Sequence, residues 1–181
     1  GRYDAKVDYL CQIAAETRRY KEDWRKTHLR YYQIAGLTIQ VSADFPFTDK
    51  TFDLKFEKFR VEKPSDDRVN IHHVCHIPER SELRLGQEIY HQPPWAIYHQ
   101  KNAYVYIGIL PEDMPMEHYK MMIIDDAHTR ATIYHRRDFS QTTGLGALSS
   151  FSSYQILFAR TLVDREAFYV HASGISLDGG G

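Results

Sequence analysis

The run Asn70-Ile71-His72-His73-Val74-Cys75-His76 is the densest group of chemistry-bearing side chains in the sequence. Imidazole and thiolate are the ligands that zinc prefers. The run also alternates as a β-strand does, which predicts that His72 and His76 face one side of a sheet while His73 and Cys75 face the other. At most two of these ligands can then converge, so the sequence predicts no metal site here unless another strand adds histidines.

Three other patterns invite a chemical interpretation. Paired carboxylates such as Asp125-Asp126 can serve as acid and base, but between two apolar segments they also suit a turn, and we favour the turn. The pairs Ser149-Ser150 and Ser152-Ser153 lack a nucleophile elbow and are typical of helix capping. The glycines of Gly144-Leu145-Gly146 stand without a third glycine, which favours a connector over a phosphate site.

The end of the sequence follows a more specific order of elements. Residues 149 to 164 have the periodicity of an amphipathic helix, and Ala167 to Leu177 then have the pattern of a strand that arrives at an Asp-Gly turn. With the strand Phe168-Tyr169-Val170-His171-Ala172-Ser173-Gly174, this order resembles the HPr serine kinase/phosphorylase-like family of P-loop kinases, whose fold is akin to phosphoenolpyruvate carboxykinase. The segment Tyr31 to Val41 is similar to the first hairpin of such proteins.

The resemblance implies the N-terminal portion of an ATP-dependent kinase that transfers a phosphoryl group to a hydroxyl. It carries over His171 as a catalytic residue, and Gly179 and Gly180 as the approach to the phosphate-binding loop. The loop itself needs a G-x-x-x-x-G-K-[ST] sequence whose N–H groups and lysine hold the phosphates. No glycine here is followed by lysine. We therefore expect the chain to be inactive alone, and ATP and magnesium to bind only to an extended form.

A second hypothesis of a different class remains open: a non-catalytic β-rich module that binds a protein or peptide, or assembles with itself. Composition narrows the partners. With 23 basic and 24 acidic residues the net charge is −1, which gives no electrostatic footprint for nucleic acid or an anionic membrane. No apolar run approaches the roughly 18 residues of a membrane span, and Cys11 and Cys75 do not suggest a disulfide framework. A cytoplasmic protein is expected.

The elements that would position these residues are mainly strands. The 13 Tyr and 9 Phe residues fall largely in alternating segments. The sequence predicts an α+β fold, a mostly antiparallel sheet with a packed C-terminal helix and an added N-terminal helix. Residues 1 to 28 form a helical arm in this interpretation, and residues 29 to 181 form the β-rich domain. A hairpin is expected at Ala35-Gly36, and strands with a bulge near Lys58 are expected between residues 52 and 61.

Overall fold

The computed structural model of the chain describes residues 2–109, 121–136, 148 and 152–168. The helices in this part are α1 (Arg2–His28) and α2 (Ser152–Val163), with 3-10 turns at Leu54–Phe59 and Arg80–Glu82. The strands are β1 (Leu29–Ile34), β2 (Leu37–Ala43), β3 (Arg60–Val61), β4 (Arg68–Val74), β5 (Gln87–Gln92), β6 (Trp95–Gln100), β7 (Ala103–Gly108), β8 (Met121–Asp125) and β9 (Arg130–Tyr134).

Within the described residues the nine strands form one sheet in the order β3-β1-β2-β4-β9-β8-β7-β6-β5. Six of its eight pairings are antiparallel. The remaining two join β2 to β4 and β4 to β9, and both are parallel. The predicted α+β class, a mostly antiparallel sheet with a helix at each end of the sequence, is confirmed. The three parallel strands at its centre are a feature that the sequence did not predict.

Local chemistry explains the first hairpin. Ala35 and Gly36 adopt positive φ angles of 50° and 85°, the left-handed pair that a two-residue turn between twisted strands requires. The turn sets the register Ile34 opposite Leu37, and β2 then buries almost every side chain. A strand that is buried on both faces is typical of the centre of a sheet, which is where β2 lies.

The segment after β2 differs from the prediction. In place of strands with a bulge near Lys58, residues Leu54–Phe59 form a 3-10 helix, and only Arg60–Val61 pair as β3. Asp53 caps this helix, because its carboxylate accepts a hydrogen bond from the Lys55 amide at 3.1 Å. Phe52, Phe56 and Phe59 all pack against the core at a spacing of four and three residues, which a helical turn brings to one side.

Helix α2 covers one face of the sheet. Tyr154, Leu157 and Thr161 are its buried residues, and Leu157 packs in the main core with Ile71, Ile133 and other strand residues. The periodicity of residues 149 to 164 predicted an amphipathic helix here, and this helix is confirmed. Tyr154 faces the sheet, and Phe158 is partly buried.

Helix α1 stands largely apart from this core. Residues 12–27 are exposed, and the helix meets the sheet domain near its C-terminal end, where the Phe47 amide donates to the Thr27 carbonyl at 2.7 Å. That bond satisfies one of the carbonyl groups that a helix end leaves without a partner. In the described part of the chain, neither helix combines the length and the apolar character that crossing a membrane needs.

Candidate site at the carboxyl ends of three parallel strands

The residues that the resemblance singles out, His171, Gly179 and Gly180, lie outside the described residues, as does the loop of residues 140–146. The histidine run, by contrast, is described. His72 and His73 point to opposite sides of β4, as alternation predicted: His72 Nδ1 lies 2.8 Å from the Ser42 hydroxyl, whereas the His73 ring is fully buried on the side of α2. Strand β4 ends at Val74, so Cys75 and His76 follow it in irregular backbone.

The parallel strands β2, β4 and β9 end side by side. Ala43 is paired with His73, and Val74 with Tyr134. Just past these positions the backbone crosses between strands: the Asp44 amide donates to the His73 carbonyl at 3.1 Å, and the His135 amide donates to the Val74 carbonyl at 2.8 Å. We call this end of the three strands the carboxyl edge.

The Asp44 carboxylate ties the carboxyl edge together. Both of its oxygens lie 3.2 Å from the Cys75 amide, which donates to them. Asp44 and His76 are exposed at this edge, and Cys75 is partly exposed. In sheets with parallel strands, the loops at the carboxyl ends of the strands commonly bind ligands.

A hydrogen-bonded chain of three buried side chains lies behind the carboxyl edge. His73 Nδ1 is 2.7 Å from His135 Nε2, and His73 Nε2 is 2.5 Å from the Tyr154 hydroxyl. The rings are also stacked, with His73 centroids 5.0 Å from His135 and 5.8 Å from Tyr154. The relative exposure is 0% for His73, 5% for Tyr154 and 7% for His135, so the chain runs from the helix through the core towards the edge.

Burial decides the protonation states along this chain. It lowers the pKa of His73 well below its usual value, with the neighbouring His135 and His72 acting in the same direction, so His73 is neutral. Burial also raises the pKa of Tyr154, so its hydroxyl keeps its hydrogen, although a hydrogen bond from the Leu148 amide acts in the opposite direction. One arrangement that satisfies all three groups has the Tyr154 hydroxyl donating to His73 Nε2 and His73 Nδ1 donating to His135 Nε2.

This arrangement can do two things chemically. It satisfies three buried polar groups, which would each be costly without partners. It also forms a connected path along which a proton could be redistributed between the helix and the carboxyl edge, because each histidine has one donor and one acceptor nitrogen. Sequence analysis did not find this cluster, because its members are 62 and 81 residues apart in the chain.

A second set of contacts fixes the other end of α2. The Thr161 hydroxyl donates to the His128 carbonyl at 2.9 Å, and His128 Nδ1 lies 3.2 Å from the Asp164 carboxylate. Arg165 makes a two-point contact with the carboxylate of Asp67, in which Nε donates at 2.9 Å. Since Asp67 and His128 precede β4 and β9, this end of the helix lies at the amino ends of the strands. Helix α2 thus runs antiparallel to both strands.

The paired carboxylates of the sequence have separate partners. Asp125 accepts hydrogen bonds from the Thr129 amide at 2.8 Å and the Arg130 amide at 2.9 Å, which is the role of a turn residue. The Asp126 carboxylate lies 3.1 Å from His99 Nε2. Within the described ranges, no three His, Cys, Asp or Glu side chains are grouped so that they could hold a metal ion.

Comparisons with protein-family models, with curated proteins and with solved structures each give no match for this chain. The carboxyl edge and the Tyr154–His73–His135 chain therefore have to be interpreted from their own geometry.

Proposed function

We propose that this chain is the portion of an HPr-serine-kinase-like, ATP-dependent kinase that precedes the phosphate-binding loop, and that phosphoryl transfer to a hydroxyl is the activity of the longer protein. The observation that carries the proposal is the run of three parallel strands at the centre of an otherwise antiparallel sheet. In nucleotide-binding folds the phosphates lie at the carboxyl ends of such strands, next to helix N-termini and glycine-rich turns.

The direction of α2 supports the same proposal. The helix begins near the carboxyl edge, where Tyr154 meets His73, and ends near Asp67, where the Ala167 amide donates to the Leu162 carbonyl at 3.0 Å. The described part of the chain thus leaves α2 at the amino ends of the parallel strands, which agrees with the helix-then-strand order that the resemblance implies.

Phosphoryl transfer requires groups that the 181 residues do not supply. In phosphoryl transfer a hydroxyl oxygen displaces ADP from the γ-phosphorus, and catalysis consists of positioning together with stabilisation of the charge by N–H groups, a lysine and magnesium. The 181 residues hold no glycine-lysine pair that could supply this. In the proposal His171 acts beside the transferred group in the longer protein, as the resemblance implies.

Calorimetry with magnesium ATP tests the proposal on two proteins, the present chain and the same chain extended by the residues encoded after Gly181. We expect micromolar binding and ATP turnover only in the extended protein. There, His171→Ala should lower turnover without unfolding the protein, and His91→Ala on the exposed strand β5 is the matched control. Micromolar magnesium-dependent binding by the 181-residue chain, or full turnover in the extended His171→Ala variant, would contradict the proposal.

A second candidate function, a non-catalytic protein- or peptide-binding and assembly module, is favoured by strand β5. Among the described residues this strand ends the sheet, its six residues are exposed, and Ile89 and Tyr90 are 49% and 44% exposed. An edge with open backbone groups and apolar side chains can accept an added strand. Sedimentation of the wild type and of Ile89→Lys tests self-assembly of this kind: concentration-dependent dimers that the variant abolishes support it, and a monomer up to millimolar concentration counts against it.

A further inference from the structure

A cleft of about 820 Å³ lies between the C-terminal end of α1, strand β1 and residues 57 to 64. Five basic and two acidic side chains line it. The basic residues are Arg25, Lys26, Arg30, Arg60 and Lys63. The chain as a whole has a net charge of −1, so a local excess of three positive charges is a property of this cleft and not of the surface in general. Three strands separate β3, beside the cleft, from β9 at the carboxyl edge.

Most of these positive charges are not neutralised within the protein. Arg60 lies 3.4 Å from Glu57, and Lys26 lies 3.7 Å from Asp23. Among the ion pairs formed by the described residues, none within 4 Å involves Arg25, Arg30 or Lys63. Clustered like charges destabilise a fold unless something offsets them, and an anion in the cleft would do so.

Arg30 is held in place at the wall of the cleft. Its Nη1 donates to the Lys26 carbonyl at 2.5 Å, and its guanidinium lies over the Phe47 ring, 5.7 Å from the centroid. Burial lowers the pKa of Arg30, and the nearby Arg60 lowers it further. A guanidinium that is already ordered loses little freedom when it binds an anion, and guanidinium groups match the geometry of phosphate oxygens.

We propose that this cleft binds a small phosphorylated molecule that carries at least two negative charges. The phosphate group lies against Arg30, Arg60 and Lys63. The apolar lining residues, which include Tyr31, Val61 and Pro64, contact the non-phosphate part. The volume is in the range of small-molecule sites, which hold a ligand on an apolar surface and orient it with a few charged groups. The site is separate from the proposed kinase function and stands or falls without it.

Calorimetric titration of the full chain with inorganic pyrophosphate tests the proposal, since pyrophosphate carries the charge without any organic part. We expect submillimolar binding that weakens as sodium chloride is raised. Arg60→Gln and Lys63→Gln should each weaken it by about tenfold, the value of one lost charge-assisted hydrogen bond. Both residues are exposed, so the fold should be retained, and exposed Arg84→Gln outside the cleft should leave binding unchanged.

Three results would overturn the site. One is no pyrophosphate binding up to millimolar concentration. Another is binding that Arg60→Gln and Lys63→Gln leave intact, or that Arg84→Gln weakens equally. The third is binding of an oligoglutamate peptide but not of pyrophosphate, which would mean that the cleft recognises an acidic protein segment instead. These outcomes do not depend on magnesium ATP binding at the carboxyl edge, so the two proposals can fail separately.

Discussion

The Tyr154 hydroxyl is predicted to stabilise the fold, and Tyr154→Phe isolates its contribution. The substitution keeps the ring in the core but removes the donor to His73 Nε2 and the acceptor for the Leu148 amide. Each buried polar group left without a partner costs about 1–3 kcal/mol. Because two groups lose one partner each, we expect the free energy of unfolding to fall by about 2–6 kcal/mol.

The chain offers a matched control in Tyr32. Its side chain is also fully buried, and its ring lies 5.1 Å from Phe52, but its hydroxyl has no hydrogen-bond partner among the residues that the structure describes. Burial raises the pKa of Tyr32 to about 12, so the hydroxyl keeps its hydrogen. Removing an unsatisfied hydroxyl leaves no other group unpaired. Tyr32→Phe should therefore change the free energy of unfolding by no more than about 0.5 kcal/mol, or raise it.

Urea unfolding followed by tryptophan fluorescence and by circular dichroism measures both variants. With a slope of about 2 kcal/mol per molar urea, Tyr154→Phe should lower the midpoint by roughly 1–3 M. Tyr32→Phe should leave the midpoint almost unchanged. The reasoning is refuted if Tyr154→Phe unfolds at the wild-type midpoint, or if both variants lose the same stability, because the hydrogen-bond partners of the Tyr154 hydroxyl would then make no difference.

Three further outcomes are expected. Because burial holds the pKa of His73 well below 6.5, the unfolded chain takes up a proton below pH 6.5 that the folded chain does not. Urea unfolding between about pH 7.5 and pH 5 should therefore show the free energy of unfolding falling by about 1.4 kcal/mol per pH unit below pH 6.5. A flat profile would contradict this. Gly86→Ala at a φ of 78° would bring a Cβ to 2.3 Å from the His99 carbonyl oxygen, whereas the Cβ of Gly36→Ala at a φ of 85° meets open space. Thermal unfolding should therefore show the larger loss of stability for Gly86→Ala. Equal losses would show that the φ angle alone matters. The hydrogen bonds from Arg165 lower the pKa of Asp67, so this pair stabilises the fold above pH 3.8 and loses its effect as the pH falls through the lowered pKa. Since the Asp67 side chain is half exposed, Asp67→Asn should lower the free energy of unfolding in urea at neutral pH by less than about 1 kcal/mol. A larger loss would mean that the pair acts as a buried one.

Local sequence patterns predicted most of the individual elements. Turn residues located the hairpin at Ala35-Gly36, and alternation in the histidine run located β4, because those signals are set by neighbours along the chain. The error at Leu54–Phe59 was avoidable. Phe52, Phe56 and Phe59 recur at four and three residues, the spacing of a helical turn, and Asp53 stands where a cap belongs. Aromatic content favoured strands there and outweighed the correct period.

The histidine–tyrosine chain needed information that no local pattern contains. Alternation correctly placed His72 and His73 on opposite sides of the sheet. What was missing was the neighbour of β4. That neighbour is β9, which follows 56 residues after β4 ends, because the meander from β5 to β8 intervenes in the sequence but lies to one side in the sheet. Consecutive strands usually pair with each other, so the sequence alone favours a simple antiparallel order.

The parallel pairing of β4 with β9, which the sequence did not predict, is also what forms the site. If β4 were paired with β5 in place of β9, His73 would still lie beside β2, but His135 would lie elsewhere. Because β4 is instead inserted between β2 and β9 in parallel, three strands end together and bring Asp44, His73 and His135 to one edge. His73 then faces helix α2, where the Tyr154 hydroxyl forms a hydrogen bond with it. The buried polar side chains thus lie where the strand order departs from the order in the sequence. Ligand sites in parallel sheets generally lie at such positions.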